Sequence, residues 1–94
     1  MEEIVGFEIH NRKGFFYVMV NDNLEGKMSF YFDDNGIMCI RHTEVRPGNE
    51  GKGFGRKMVA KAVEYARARN LQILPICPFA KSVFEKTPEF RDLL

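Results

Sequence analysis

The sequence predicts an α+β fold: a mainly antiparallel twisted sheet, built as a four-strand meander followed by helix, strand and helix, with helices on at least one face. Three observations point to it. The first half alternates short apolar and aromatic runs with turn residues, the pattern of half-buried strands. Residues 46–53 then break that pattern with three glycines and a proline. The second half places apolar residues at helical spacing on either side of a short extended segment. Strands and helices do not alternate throughout, so order and length exclude a full Rossmann or P-loop domain. At 94 residues, 45% hydrophobic and 29% charged, residues 1–94 are expected to form one globular domain, too short for two cores.

Strands are expected at residues 4–10, 15–20, 27–33 and 37–45. Between them stand Asn11-Arg12-Lys13-Gly14, Asn21-Asp22-Asn23 and Asp34-Asn35-Gly36. Each supplies residues that tolerate left-handed backbone, and the third is the strongest hairpin signal. From 54 to about 69, Phe54, Met58, Val59, Ala62, Val63 and Ala66 recur at helical spacing and make one buried stripe, with Lys57, Lys61, Glu64 and Arg67 opposite. Asn70 ends this helix. Residues 71–76 return to an extended pattern that rejoins the sheet, and Pro75 suits an edge. Pro78 fits the first turn of a second helix running to about residue 87. A last turn over 89–94 packs Phe90 and Leu93 onto the body.

Fourteen Lys and Arg against thirteen Asp and Glu leave a net charge of +1. That offers no whole-molecule field for drawing in nucleic acid or a membrane, so any anion site must be local. Cys39 and Cys77 are too few for a disulfide framework or a zinc site, and free thiols suit a reducing compartment. Met1-Glu2-Glu3-Ile4 has neither a cationic start nor a long apolar run. Neither a signal peptide nor a membrane span is expected, and the expected location is cytoplasmic.

The entrance of the first helix breaks two local rules. The opening N–H groups of a helix are usually capped by Ser, Thr, Asp or Asn, and none stands immediately before Phe54. Lys52, Arg56 and Lys57 crowd a helix end whose dipole disfavours cations, with no acid in the first turn. A phosphate there accepts the orphan donors and offsets the cations, while glycines let the backbone approach it. A flexible loop with solvated lysines is the plainer account. A Walker A loop fails because Gly53 follows Gly51-Lys52 where Ser or Thr is needed, and the dinucleotide fingerprint fails at Arg56.

Glu50-Gly51-Lys52-Gly53-Phe54-Gly55 resembles the acetyl-CoA loop of the GNAT superfamily of N-acetyltransferases, Gln/Arg-x-x-Gly-x-Gly/Ala, except at its first position. With His42-Thr43-Glu44-Val45 before it and Cys77-Pro78-Phe79 after it, the chain resembles the minimal members of that superfamily, the YjdJ-type group. The resemblance covers essentially the whole chain and is most specific from residue 42 to 79. It implies a truncated GNAT-like fold, acetyl-CoA as donor substrate and no metal. It implies that the strand carrying Thr43, Glu44 and Val45, followed by Arg46, lends groups to the pantetheine arm. It implies that the loop from Gly51 through Lys52, Gly53, Phe54 and Gly55 to Arg56 holds the pyrophosphate, and that Lys81 and Ser82 border the cofactor. For those last two residues, surface solvation is an equal account. Glu50 departs from the pattern, since a carboxylate near a diphosphate repels it unless it points away.

Acetyl transfer needs an uncharged amine, a polarised carbonyl and a proton for the departing thiolate. Cys77 precedes Pro78, where helix amides lower a thiol's pKa; its alternative is a small buried apolar group. His42 suits deprotonation of an amine, and Glu44, two residues along the same strand, shares its face and could share one water-filled cleft. A structural histidine and a surface carboxylate are the alternatives. Cys39 is expected on the opposite face, with Ile37 and Val45, in the core. The expected reaction is direct attack by the amine or a two-step route through Cys77. Ordinary members build the acceptor pocket with extra helices, so an open acceptor side suits an exposed amine on a protein or peptide. A monomer or weak homodimer is expected. Two rival classes are an acetyl-CoA-binding sensor or adaptor without turnover, and an RNA-binding module. The latter would use Lys52-Gly53-Phe54-Gly55 and the aromatics of Phe15-Phe16-Tyr17 and Phe30-Tyr31-Phe32; near-neutral charge opposes it.

Overall fold

The computed structural model describes residues 2–94; Met1, part of the N-terminal stretch weighed above, lies outside them. Five strands, β1 (Glu3–His10), β2 (Lys13–Val20), β3 (Asn23–Phe32), β4 (Met38–Val45) and β5 (Ile73–Pro75), form one sheet in that spatial order. The first four run antiparallel, and β5 pairs parallel with β4 after the crossover through helix α1 (Phe54–Ala68). Helix α2 (Pro78–Lys86) and a 3-10 turn (Pro88–Leu93) complete the chain. This is the α+β architecture that the sequence predicts, with Pro75 on the edge strand.

Turn chemistry sets the strand limits. The β1–β2 and β2–β3 loops contain only two residues each, so Lys13 and Gly14 belong to β2 and Asn23 opens β3, four residues earlier than expected. Asn21 and Asp22 both take positive φ, as a type I′ hairpin turn requires, whereas in the first loop only Asn11 does. Before β4, the Asp33 carboxylate accepts the N–H groups of Asn35 and Ile37, and Gly36 is left-handed. Helix α1 ends on Asn70 at φ 55, with Leu71 N–H returning to the Ala66 carbonyl and Asn70 N–H to that of Arg67.

Both helices pack on one face of the sheet. The core joins Phe16, Val18, Met28, Phe30, Met38 and Ile40 from the strands to Met58, Val59, Ala62 and Val63 of α1 and Ala80, Val83 and Phe84 of α2. Full burial of each large apolar side chain contributes about 1.5–3 kcal/mol. Leu93 and Phe90 close the end of this core, Phe90 against Phe84 at 6.0 Å between ring centres. Among the described residues no element covers the other face, where Lys27 lies over the Phe15 ring and Arg41 over that of Tyr31.

Strand β4 is irregular in the middle. Ser29 pairs with His42 and Phe30 with Ile40, leaving Arg41 as an extra residue in a bulge. On its other edge, β4 pairs with β5 only from Met38 to Ile40, and the N–H groups of Ile76 and Cys77 both return to the Ile40 carbonyl. Beyond that point β4 runs on to Val45 with no strand alongside, so the sheet opens into a gap between β4 and the start of α2.

Candidate functional site

The entrance of α1 is built almost wholly from backbone. Gly53 is the residue before the helix, at φ 75, and no side chain caps the amides that follow; no acid stands in the first turn. A β-carbon at Gly53 would be strained in this left-handed conformation, so glycine is needed to turn the loop into the helix. The loop is held from below by Asn49, which is buried. Its amide nitrogen donates to Glu25 at 2.7 Å and to the Arg46 carbonyl at 3.2 Å, while its oxygen accepts Lys52 Nζ at 3.0 Å. The uncapped amides therefore sit on a fixed loop.

A cleft of about 800 Å³ runs from this entrance along α2. Thr43, Val45 and Pro47 line one side, Glu50, Gly51, Gly53, Gly55 and Arg56 the loop end, and Phe79, Ser82, Val83 and Lys86 the α2 side. Gly55 leaves room for the Phe79 ring of α2: a β-carbon there would lie 2.5 Å from its tip. Arg56 Nη1 donates to the buried Thr87 hydroxyl at 2.9 Å, tying the start of α1 to the end of α2.

At the α2 entrance Cys77 stands before Pro78, with its side chain 5% exposed and Sγ 3.5 Å from Thr43 Oγ1. Burial pushes the thiol pKa up. The Thr43 hydroxyl and the amides of Ala80, Phe79 and Thr43 pull it down, and the balance leaves it below the ordinary thiol value. Thr43 and Cys77 thus meet on the helix side of β4, beside the gap in the sheet.

The bulge at Arg41 decides what else joins them. Lys27, Ser29 and Tyr31 of β3 pair with Glu44, His42 and Cys39, so these three share the uncovered face, whereas Thr43 and Val45 pair with Met28 and Gly26 on the helix face. His42 and Glu44 do meet, Nε2 to Oε1 at 3.5 Å, but as exposed side chains and not in a shared cleft. Cys39 is buried, yet on the same face as His42 and not opposite it. A hydrogen bond with Cys39 raises the Tyr31 pKa. Simple alternation along the strand fails here because one extra residue reverses it.

The cations also divide. Arg56 lines the cleft, joined by Lys86, which sequence reasoning did not single out. Lys57 pairs with Glu3 of β1 at 2.5 Å. Lys52, 6.0 Å from the Phe54 ring centre, lines a separate cleft of about 450 Å³ with Glu3, Glu25 and Asn49. Arg46 lies along a third hollow with Glu25, Lys27 and Glu44, and Lys81 is exposed outside the main cleft lining, where its neighbour Ser82 stands. Two of the three cations crowding the α1 entrance in sequence are therefore turned away from it. Phe79 stands in the Cys77-Pro78-Phe79 motif, whereas Val83 and Lys86 were legible only by their helical spacing of four and three from it.

The description "GCN5-related N-acetyl-transferase" belongs to the family model that matches residues 15–93. Among solved structures, a GCN5-like protein of Staphylococcus aureus is 33% identical, with 93% of this chain and 84% of that one covered and a TM-score of 0.71. A ribosomal-protein-alanine N-acetyltransferase from Brucella melitensis shares the fold at 18% identity and a TM-score of 0.69, over 82% of this chain. The chain spans 62% of that enzyme's length. A predicted acetyltransferase from Clostridium acetobutylicum, solved with acetyl-CoA, shares it at 17% identity and a TM-score of 0.63, over 81% of this chain and 56% of that one. A search of curated proteins finds no match. The glycine loop, the open helix entrance and the parted strands all lie within the residues that the family model matches, and the chain belongs to the GCN5-related N-acetyltransferase family.

Proposed function

We propose that this chain is an acetyl-CoA-dependent N-acetyltransferase, with residues 1–94 acting as one domain that moves an acetyl group from the CoA thioester to an amine. The observation that carries the reading is the continuity of one cleft from the uncapped amides of α1 to Thr43 and Val45 on the unpaired edge of β4. A diphosphate accepts such N–H groups and complements the positive helix end, with Arg56 and Lys86 adding charge. The pantetheine arm extends along the β4 edge, whose main-chain groups have no strand to pair with. The thioester then lies beside Thr43 and Cys77.

The acceptor amine must arrive neutral and close to the carbonyl. It reaches the thioester through the gap between β4 and α2, from the side where His42 and Glu44 stand, and that pair takes up its proton through water. In a variant route the Cys77 thiolate attacks the thioester carbonyl, CoA leaves as its thiolate, and the amine then takes the acetyl group from sulfur. The uncovered sheet face favours an exposed amine on a protein or peptide. Lys52, Arg46 and Lys81 stand outside this reading.

Amide NMR during an acetyl-CoA titration is expected to shift signals from Glu44 to Lys57 at micromolar ligand; no shift ends the proposal. Single-turnover transfer that survives Cys77→Ala unchanged selects direct attack. A binding-only role is favoured by one observation: among the described residues the cleft lining holds no histidine, and its one carboxylate, Glu50, lies at the loop end. Binding with neither transfer to a panel of amines nor release of free CoA identifies that role.

A further inference from the structure

We infer that Glu50 is a resident anion of the loop, held by Gly48 at the loop end of the cleft and holding down the affinity for diphosphate-bearing donors. The inference rests on the donor reading above. Glu50 Oε2 accepts the N–H of Gly48 at 2.8 Å, so the loop's own carboxylate already satisfies one loop amide. Glu50 is also the only carboxylate among the described residues lining the main cleft, at the end where Gly51, Gly53 and Gly55 present their backbone. Gly48 is left-handed at φ 94, the conformation in which its amide meets the carboxylate two residues on.

The side chain thus stabilises the empty loop and repels the guest. A diphosphate arriving at α1 meets a like charge that must turn outward, at the loss of the Gly48 contact, or stay and oppose it. Both effects weaken binding and speed release, and both depend on the ligand's charge. A neutral pantetheine arm, which lies toward Thr43, does not sense them.

Glu50→Gln keeps an acceptor for Gly48 and removes the charge. By isothermal titration calorimetry it is expected to bind acetyl-CoA about three- to tenfold more tightly than wild type, with the gain shrinking as salt rises. S-acetylpantetheine, which lacks the diphosphate, is expected to bind both proteins equally. Equal or weaker acetyl-CoA binding by Glu50→Gln overturns the proposal, as does an equal gain for S-acetylpantetheine, which would mark a reshaped loop. Glu50→Ala, checked for folding by amide NMR, removes the charge and the Gly48 contact together. It too is expected to bind acetyl-CoA more tightly, and weaker binding counts against the proposal. If wild type and both variants fail to bind acetyl-CoA at all, the donor reading itself has failed.

Discussion

The two helix entrances that face the cleft meet the same electrical demand by different means. Neither α1 nor α2 has an acid in its first turn or a side-chain cap bond. At α2 the residue before the helix is Cys77, whose sulfur makes no cap bond but lies 3.5 Å from Thr43 Oγ1 and, against burial, has its pKa lowered by the Thr43 hydroxyl and the Ala80 and Phe79 amides. At α1 the residue before the helix is a left-handed glycine, which has nothing to offer the amides. An uncapped helix therefore does not by itself call for a ligand. The α2 end has a polarisable thiol beside it, and the α1 end has only backbone.

Substitutions can break this contrast or sharpen it. The largest effect is expected from Gly55→Val, because the new side chain displaces the Phe79 ring, whose tip stands 2.5 Å from an ideal β-carbon, within the cleft lining. Urea denaturation should show a loss of about 1–3 kcal/mol, and calorimetry a fall of about tenfold or more in acetyl-CoA affinity, since that contact lies in the cleft lining. Wild-type affinity would detach the α1 entrance from donor binding.

The next effect concerns α2 and depends on pH. The folded state favours the Cys77 thiolate, so its pKa is depressed relative to the unfolded chain. The resulting stability is present above the ordinary thiol value and is lost as pH falls through the folded pKa. Urea denaturation of wild type and Cys77→Ala at a series of pH values should show the difference growing as pH rises through that window and then levelling off. Thr43→Val removes one lowering contact and should move the onset to higher pH. A difference independent of pH would mean that the amides do not act on the sulfur.

The smallest effect is expected from Arg56→Gln, at the residue that ties the α1 entrance to the far end of α2. Losing the guanidinium bond to buried Thr87 should cost about 1 kcal/mol in urea denaturation and weaken acetyl-CoA binding about threefold through the lost charge. Unchanged affinity would leave Lys86 as the charge that matters in the cleft.

Much of this was legible in the chain itself. Element order, the α1 stripe and the Asn70 stop follow from periodicity and turn chemistry, which are local and act over a few residues. The loop was legible because it breaks capping and dipole rules together. What escaped depends on distant partners. Lys57 looks free in sequence, yet it finds Glu3, 54 residues away. The start of β3 looks like a loop because Asn23 and Glu25 are poor strand signals, and pairing of Asn23 and Leu24 with β2 extends the strand past them, with Glu25 in a bulge. The faces of His42 and Cys39 escaped because a bulge is a property of two strands in register.

That bulge has a consequence for any attempt to map β4 by mutation. Ahead of Arg41 the even-numbered positions, Met38 and Ile40, are the ones that support the core. Past it the odd-numbered positions, Thr43 and Val45, look the same way. Sensitivity along the strand should change parity at a single residue, and a shortened strand lacking Arg41 would restore plain alternation while leaving His42 opposite Ser29 and Thr43 opposite Met28.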